Sequence, residues 1–230
     1  MRGINVKNTM LMHAAELLAP HYCMSCGAAG SVLCIRCVCD ITDESYDGCL
    51  ICRHPASSGV CGRCSPPYSR AWCCDERRGV LKEVIDAYKF QRLKAAALPL
   101  ARMLAEVTPE LPKDTVVTSI PTIRAHIRKR GYDHARLIAR EYARLKRCRF
   151  AILLDRTSEF AQLGASKKAR EEHARDAFRV RQIPTNCEYV CLIDDILTTG
   201  STLHHAARVL REAGVREVWV GVIARQPLDE

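Results

Sequence analysis

Two carboxylates and a run of small hydroxyl residues stand close together at Asp194-Asp195-Ile196-Leu197-Thr198-Thr199-Gly200-Ser201-Thr202. The preceding Val190-Cys191-Leu192-Ile193 is wholly apolar, the pattern of a strand buried on both faces of a parallel sheet, with the acids at its carboxyl end. Beyond the run, Leu203, Ala206, Ala207, Leu210 and Ala213 recur at helical spacing, and Gly214 supplies a stop. A strand, a small-residue loop and a helix amino terminus make an anion site, because unpaired backbone N–H groups and the helix dipole favour phosphate. Open parallel sheets bind ligands at that edge. Carboxylates repel a phosphate at close contact, so hydroxyl groups or Mg2+ must lie between them. A ribose 5-phosphate has both parts: a diol for Asp194 and Asp195, and a phosphate for Thr198, Thr199, Gly200, Ser201 and Thr202. No G-x-x-x-x-G-K-[ST] run occurs, which disfavours a P-loop nucleotidase.

A second chemistry lies nearer the amino terminus. Cys23-x-x-Cys26 with Cys34-x-x-Cys37 forms one set, and Cys49-x-x-Cys52 with Cys61-x-x-Cys64 forms another, so the segment reads as an internal duplication. Each set can supply four thiolates to a tetrahedral, structural Zn2+. Spacing leaves open whether the two sites are sequential or interleaved. Of the 14 cysteines, the remaining Cys39, Cys73, Cys74, Cys148, Cys187 and Cys191 read as small buried apolar residues. The segment from 20 to 70 is short and polar, so metal binding must supply much of its folding free energy. Four thiolates leave no open position for catalysis there.

These sites need a core to hold them, and 230 residues suffice for one substantial core with a small appendage. Hydrophobic residues at 48% and charged residues at 27% suit a soluble globular chain. No apolar stretch approaches a membrane span, and Leu11 to Pro20, interrupted by His13 and Glu16, makes a poor signal peptide. The expectation is a cytoplasmic protein without membrane insertion. A formal charge of +9 suits polyanions or phosphorylated substrates without choosing between them.

Pro66-Pro67 marks a boundary. Gly79 to Val107 is mainly helical, with Leu81, Val84, Ile85 and Tyr88 on one face and a break near Pro99. Thr115 to Ile120, Ala151 to Leu154 and Glu217 to Ala224 read as strands, and Tyr132 to Arg147 as a basic amphipathic helix. The alternation predicts an α/β fold, a doubly wound parallel sheet with crossover helices.

Asp194 to Gly200 resembles the phosphoribosyl-pyrophosphate binding motif of type I phosphoribosyltransferases, in which the acids hold the ribose hydroxyls and the loop holds the 5-phosphate. More of the chain, from Cys23 to Arg225, resembles the ComF family, which joins an amino-terminal zinc ribbon to a phosphoribosyltransferase domain. The likeness rests on Tyr88-Lys89-Phe90, on Ile120-Pro121 followed by Arg128 and Arg130-Gly131-Tyr132, and on Gln162, Gly164, Ser166, Lys167, Arg170 and Ala177-Phe178.

The resemblance implies a zinc ribbon module over 20–70 and a type I phosphoribosyltransferase domain over 71–230. It places Ser119 and Ile120 against pyrophosphate, with Arg128 and Arg130 the nearest basic candidates. It makes Gln162 to Arg170 a loop over the site, with Gln162, Lys167 and Arg170 serving catalysis beside Asp194 and Asp195. Phosphoribosyl pyrophosphate with Mg2+ is the implied donor, the acceptor is unnamed, and the implied setting is DNA uptake in competent bacteria. The alternative is a non-catalytic accessory protein that binds single-stranded nucleic acid. Aromatic residues make up only 6% of the chain and mark no stacking cluster in the sequence. Two positions depart from the family pattern: Asp133-His134 stands where Asn-Gln is usual, and His173, read as a surface residue, stands where asparagine is expected. Both bear on the acceptor. Nothing in the sequence sets the oligomeric state.

Overall fold

The computed structural model describes residues 20–157 and 177–227. Its centre is a five-stranded parallel sheet of order β1-β7-β6-β2-β3, built from β1 (Arg70–Glu76), β2 (Val116–Ser119), β3 (Arg149–Phe150), β6 (Tyr189–Leu197) and β7 (Glu217–Arg225). Helices α2 (Gly79–Phe90), α3 (Ala97–Val107) and α5 (His134–Leu145) cover one face, and α6 (Ser201–Glu212) covers the other. The period of two along a strand is visible in the core: Cys191 and Ile193 join the cluster under α2, α3 and α5, while Val190 and Leu192 join the cluster under α6. Helices on both faces of a parallel sheet confirm the doubly wound expectation.

Several elements differ from the sequence reading. Strand β6 runs nine residues, past the acids to Leu197, because β7 continues to pair with it: Asp194 lies opposite Val222 and Leu197 opposite Arg225. The helical break falls not at Pro99 but at Gln91–Leu93, where Arg92 takes a positive φ of 59°, followed by a short 3-10 turn over Lys94–Ala96. Pro99 sits in the first turn of α3, where its missing N–H has no partner to lose. The Ala151 to Leu154 strand does not form as one piece. Thr118 Oγ1 accepts from the Leu153 amide at 3.2 Å and draws the chain out of the sheet. Leu154–Arg156 (β4) then pairs antiparallel with Phe178–Val180 (β5). Strand β1 and the helices α1 (Ile35–Thr42) and α4 (Arg124–Arg130) come in addition to the elements expected from the sequence. Of the spare cysteines, Cys73, Cys74, Cys187 and Cys191 are buried as expected, whereas Cys148 is half-buried and Cys39 is exposed on α1.

The cysteine segments lean on opposite faces of this sheet. Cys23, Val32, Leu33, Cys37 and Val38 pack into the cluster of α2, α3 and α5, while Leu50 and Tyr68 pack into that of α6. Close approach of helix to sheet beside the acids depends on Gly221, where an added Cβ would meet Leu104 Cδ2 at 2.9 Å and Ile193 Cδ1 at 3.0 Å. Among the described residues no helix is long and apolar enough to cross a membrane.

Candidate functional site

Strand alternation sends the two acids to opposite faces. Asp195, on the face of α2 and α5, is only 5% exposed and meets Lys89 Nζ at 3.0 Å and His134 Nε2 at 2.5 Å. Both partners are themselves buried. Burial alone raises a carboxyl, but the His134 contact and the Lys89 ammonium outweigh it and hold Asp195 well below the usual carboxylate range. Among the described residues its Oδ2 lacks a well-directed hydrogen bond despite the short approach of His134. The imidazole is fixed from several sides: Arg130 Nη1 lies 2.9 and 3.1 Å from its ring nitrogens, and the Tyr88 hydroxyl donates to the His134 carbonyl at 2.8 Å. Tyr132 in turn donates to the Tyr88 carbonyl. The lysine-aromatic segment of α2 and the Arg-Gly-Tyr segment after α4 thus converge on a single carboxylate.

Asp194 points to the other face, accepts from the Asp195 amide at 2.9 Å and keeps part of its surface. Burial and then the neighbouring Asp195 charge push it up to about 8, against the pull of Lys89 and Arg156. The loop that follows lies on the same face as Asp194, since it leads into α6. Thr198, Thr199 and Ser201 are exposed, and Gly200 takes φ 78° as the amino-terminal cap of α6 with no side-chain cap bond. Among the described residues the Ser201 amide donates to Thr199 Oγ1 at 3.5 Å, and Gly200 offers no side chain to the amides that follow. An anion there gains both those donors and the helix dipole.

The turn after β2 completes the rim. Ser119 and Ile120 are buried, and the Ile120 amide donates to the Ile193 carbonyl at 2.9 Å, fixing the turn beside the acids. Next to Ser119, Pro121 and Thr122 lies a cavity of about 440 Å³ lined by Arg124, Arg136, Arg156 and Arg181 and by Asp133 and Asp155, the last paired with Arg181 at 2.6 Å. The anticipated Arg128 is exposed on α4, and Arg130 is engaged with His134 and with Phe90, so neither lines this cavity. Arg156 lies against the Phe178 ring and reaches the Pro121 carbonyl at 3.3 Å, while its Nε has no hydrogen-bond partner among the described residues. Lys89, His134 and Arg156 are the residues sequence reasoning missed as site members. Lys89 and His134 had a signal, as motif and as departure, but only three-dimensional proximity reveals their partner. Gln162, Lys167, Arg170 and His173 lie outside the described residues; their flanks, Thr157 and Ala177, meet through an amide-to-carbonyl bond of 3.1 Å.

The cysteines sort sequentially rather than interleaved. Cys23, Cys26, Cys34 and Cys37 form one group and Cys49, Cys52, Cys61 and Cys64 another, with the sulfurs of each group within 4.8 Å of one another. A tetrahedral zinc with bonds of about 2.3 Å needs sulfurs about 3.8 Å apart. Separations of 3.6 Å for Cys26–Cys34 and 3.5 Å for Cys52–Cys61 fit that cage. Both groups suit structural zinc.

No family model matches the chain. Curated relatives do. The chain is 28% identical over 197 residues to DNA utilization protein YhgH of Escherichia coli K12, covering 80% of this chain and 86% of that one. It is 29% identical over 178 residues to Competence protein F of Haemophilus influenzae, covering 72% and 78%. It is 27% identical over 187 residues to Competence protein ComFC of Bacillus subtilis, covering 72% of each. The ComF likeness read from the motifs therefore extends over most of the chain. Among solved structures, the allosteric regulatory enzyme of purine biosynthesis aligns at 24% identity with a TM-score of 0.42 over 56% of this chain, which spans about a quarter (25%) of that enzyme. A Staphylococcus aureus hypoxanthine phosphoribosyltransferase aligns at 13% identity and 0.34, over 61% of this chain and 76% of that one.

Two predictions test the electrostatics. Breaking a buried ion pair by removing one partner costs roughly 3–5 kcal/mol. Lys89→Met should lose stability on that scale in urea titration, and adding Asp195→Asn should recover part of it; a double variant no better than the single one would show that the pairing does not dominate. Asp194 has its proton held more tightly in the fold than in the unfolded chain, about 8 against 3.8. Its contribution is therefore fully present below the unfolded value and is lost as pH rises through the folded one. Asp194→Asn should gain stability over wild type progressively between these two values and then level off. A stability difference that stays flat across that window would refute the assignment.

Proposed function

We propose that the chain is a ComF-type protein in which a double zinc ribbon, over 20–70, is joined to a phosphoribosyltransferase-like domain, over 71–230. It binds phosphoribosyl pyrophosphate with Mg2+ and transfers the phosphoribosyl group to an acceptor, in the cytoplasmic handling of DNA taken up by the cell. One observation carries the ligand assignment: Asp194 shares a sheet face with the exposed, glycine-capped start of α6. That pairing supports a diol at the carboxylate and a phosphate at Thr198–Thr202. The names of the relatives, competence and DNA utilization proteins, support the setting.

In the reaction the bond from the ribose carbon to pyrophosphate breaks as the bond to the acceptor forms, through a state of oxocarbenium character. The acceptor gives up a proton and pyrophosphate departs with the electron pair. Asp195, tied to Lys89 and His134 on the opposite face, fixes β6 under the sugar. Asp194 accepts from the ribose diol. The Ser119–Ile120 turn and the arginines beside it receive the pyrophosphate, with Arg156 close enough for Asp194 to feel its charge. Gln162, Lys167 and Arg170 complete the set around the leaving group. Mg2+ accompanies the donor and screens its diphosphate charge. Most of the rate enhancement then comes from positioning and charge stabilisation.

A second reading, a strand-binding accessory without turnover, has one specific observation in its favour. Phe90 is 63% exposed with the Arg130 guanidinium 5.5 Å from its ring centre. No acid occurs between Asp86 and Glu106 or between Asp114 and Asp133, so this aromatic stands in a purely basic stretch. Such a surface suits a base stacked between phosphate contacts.

Calorimetry separates the readings. Joint Asp194→Ala and Asp195→Ala substitution should abolish binding of phosphoribosyl pyrophosphate while zinc stays bound; retained affinity would count decisively against the sugar-phosphate site. For the second reading, affinity for single-stranded DNA should fall steeply with salt. Phe90→Ala should weaken it roughly 5- to 150-fold, the worth of one stacked base, with sugar-phosphate affinity intact. Salt-insensitive binding, or a Phe90→Ala variant that binds DNA normally, removes that reading.

A further inference from the structure

The second cysteine cluster is fastened to the sheet by a clasp of two arginines that, among the described residues, has no counterpart at the first. Arg225, the last residue of β7, is 5% exposed. Its guanidinium donates to the carbonyls of Cys49 at 3.3 Å, Leu50 at 2.5 Å and Ile51 at 3.5 Å, the backbone of the Cys49-x-x-Cys52 turn. Arg53, one residue beyond that turn, reaches back: it donates to the Gln226 carbonyl at 2.8 Å and to Glu76 at 3.2 Å. Tyr46 lies under the Arg225 guanidinium at 5.5 Å. Gly59, whose added Cβ would fall 2.0 Å from the Ala71 carbonyl oxygen, lets the same segment press against β1.

The other side of the clasp touches the phosphate loop. Arg225 is in register with Leu197, and the Gln226 amide donates to the Leu197 carbonyl at 2.8 Å, immediately before Thr198. The first cluster meets the molecule through apolar residues, Val32, Leu33 and Val38, on the face of α3.

We infer that metal in the Cys49–Cys64 cluster and phosphate at the Thr198–Thr202 loop are energetically coupled through Arg225, which acts as a positioning residue. The inference rests on the reading of that loop as the phosphate site. Four metal–sulfur bonds hold the turn closed, so that three carbonyls converge on one buried guanidinium. When the turn opens, that charge loses its acceptors, a loss the fold relieves by shifting the end of β7. The shift passes to Leu197 and frees the loop. Coupling of this kind is reciprocal: whatever the metal does for phosphate, phosphate does for the metal. The first cluster has no polar route to the loop among the described residues and is an internal control.

The test uses the full chain with both clusters loaded, and a zinc-selective chelating dye in excess with Mg2+ present. Saturating phosphoribosyl pyrophosphate should slow release from the second cluster by roughly 5- to 150-fold and leave the first unchanged. Cys26→Ser protein, with the first cluster disabled, identifies which phase is which. Arg225→Gln should keep both metals and lose the effect. Should that variant not fold, Arg225→Lys, which keeps the charge but cannot span three carbonyls, should reduce it. If calorimetry shows the ligand bound while both release rates stay unchanged, the coupling is overturned and the sugar-phosphate reading stands. If the ligand does not bind, that reading fails instead, and amide exchange in the ligand-free protein decides the coupling. Cys52→Ser should speed exchange at Ile196–Thr199 and Gln226 where Cys26→Ser does not; equal exchange in both would reject the inference.

Discussion

The site depends on one buried carboxylate, Asp195, held between Lys89 of α2 and His134 of α5. Each charge in that group has left water, and the desolvation cost offsets most of the attraction, so the contact is better understood as specifying than as stabilising. It admits one arrangement of two helices on β6. Because strand side chains alternate, fixing Asp195 on that face commits Asp194 to the other. Two adjacent residues of one type thus acquire unlike electrostatics, the first pushed up and the second held down.

What could be read from the sequence follows from how local each signal is. The Cys-x-x-Cys pairs, the apolar run of β6 and the helical spacing of α6 are complete within a few residues, and the fold realises them. The sequential cysteine groups, by contrast, needed coordinates. Pro99 misled because a proline breaks a helix only beyond its first turn, and nothing nearby showed that α3 starts at Ala97. Thr118 diverted the chain after β3 through a side-chain bond that no periodicity encodes. His134 stood out as an unusual residue, but its partner lies far along the chain. The basic residues were the hardest case: the Arg128-Lys129-Arg130 cluster is conspicuous in the sequence, while the cavity beside Ser119 is lined by arginines of α4, α5 and β4 and by Arg181, just past β5.

The cysteine clusters also change meaning in three dimensions. A duplicated ribbon suggests one appended unit, yet its halves seat on opposite faces of the sheet and share the two cores of the α/β domain. Apolar contacts hold both halves, and a polar clasp is added on the second. The duplication is therefore chemical rather than architectural: the same pair of Cys-x-x-Cys turns in unlike surroundings.

The position of β7 has a consequence for how the chain acquires this shape. The carboxyl-terminal strand of the sheet lies between β1 and β6, and through Arg225 it reaches a turn separated from it by 176 residues of sequence. Until residues 217–225 have been synthesised, β1 has no strand partner among the described residues and the Arg225 clasp on the Cys49 turn cannot close. Contacts of such high sequence separation slow folding, because loop-closure entropy is lost before they reward it. Assembly of the sheet therefore waits for its last strand, and the amino-terminal cysteines emerge from the ribosome long before the surfaces that will hold them exist.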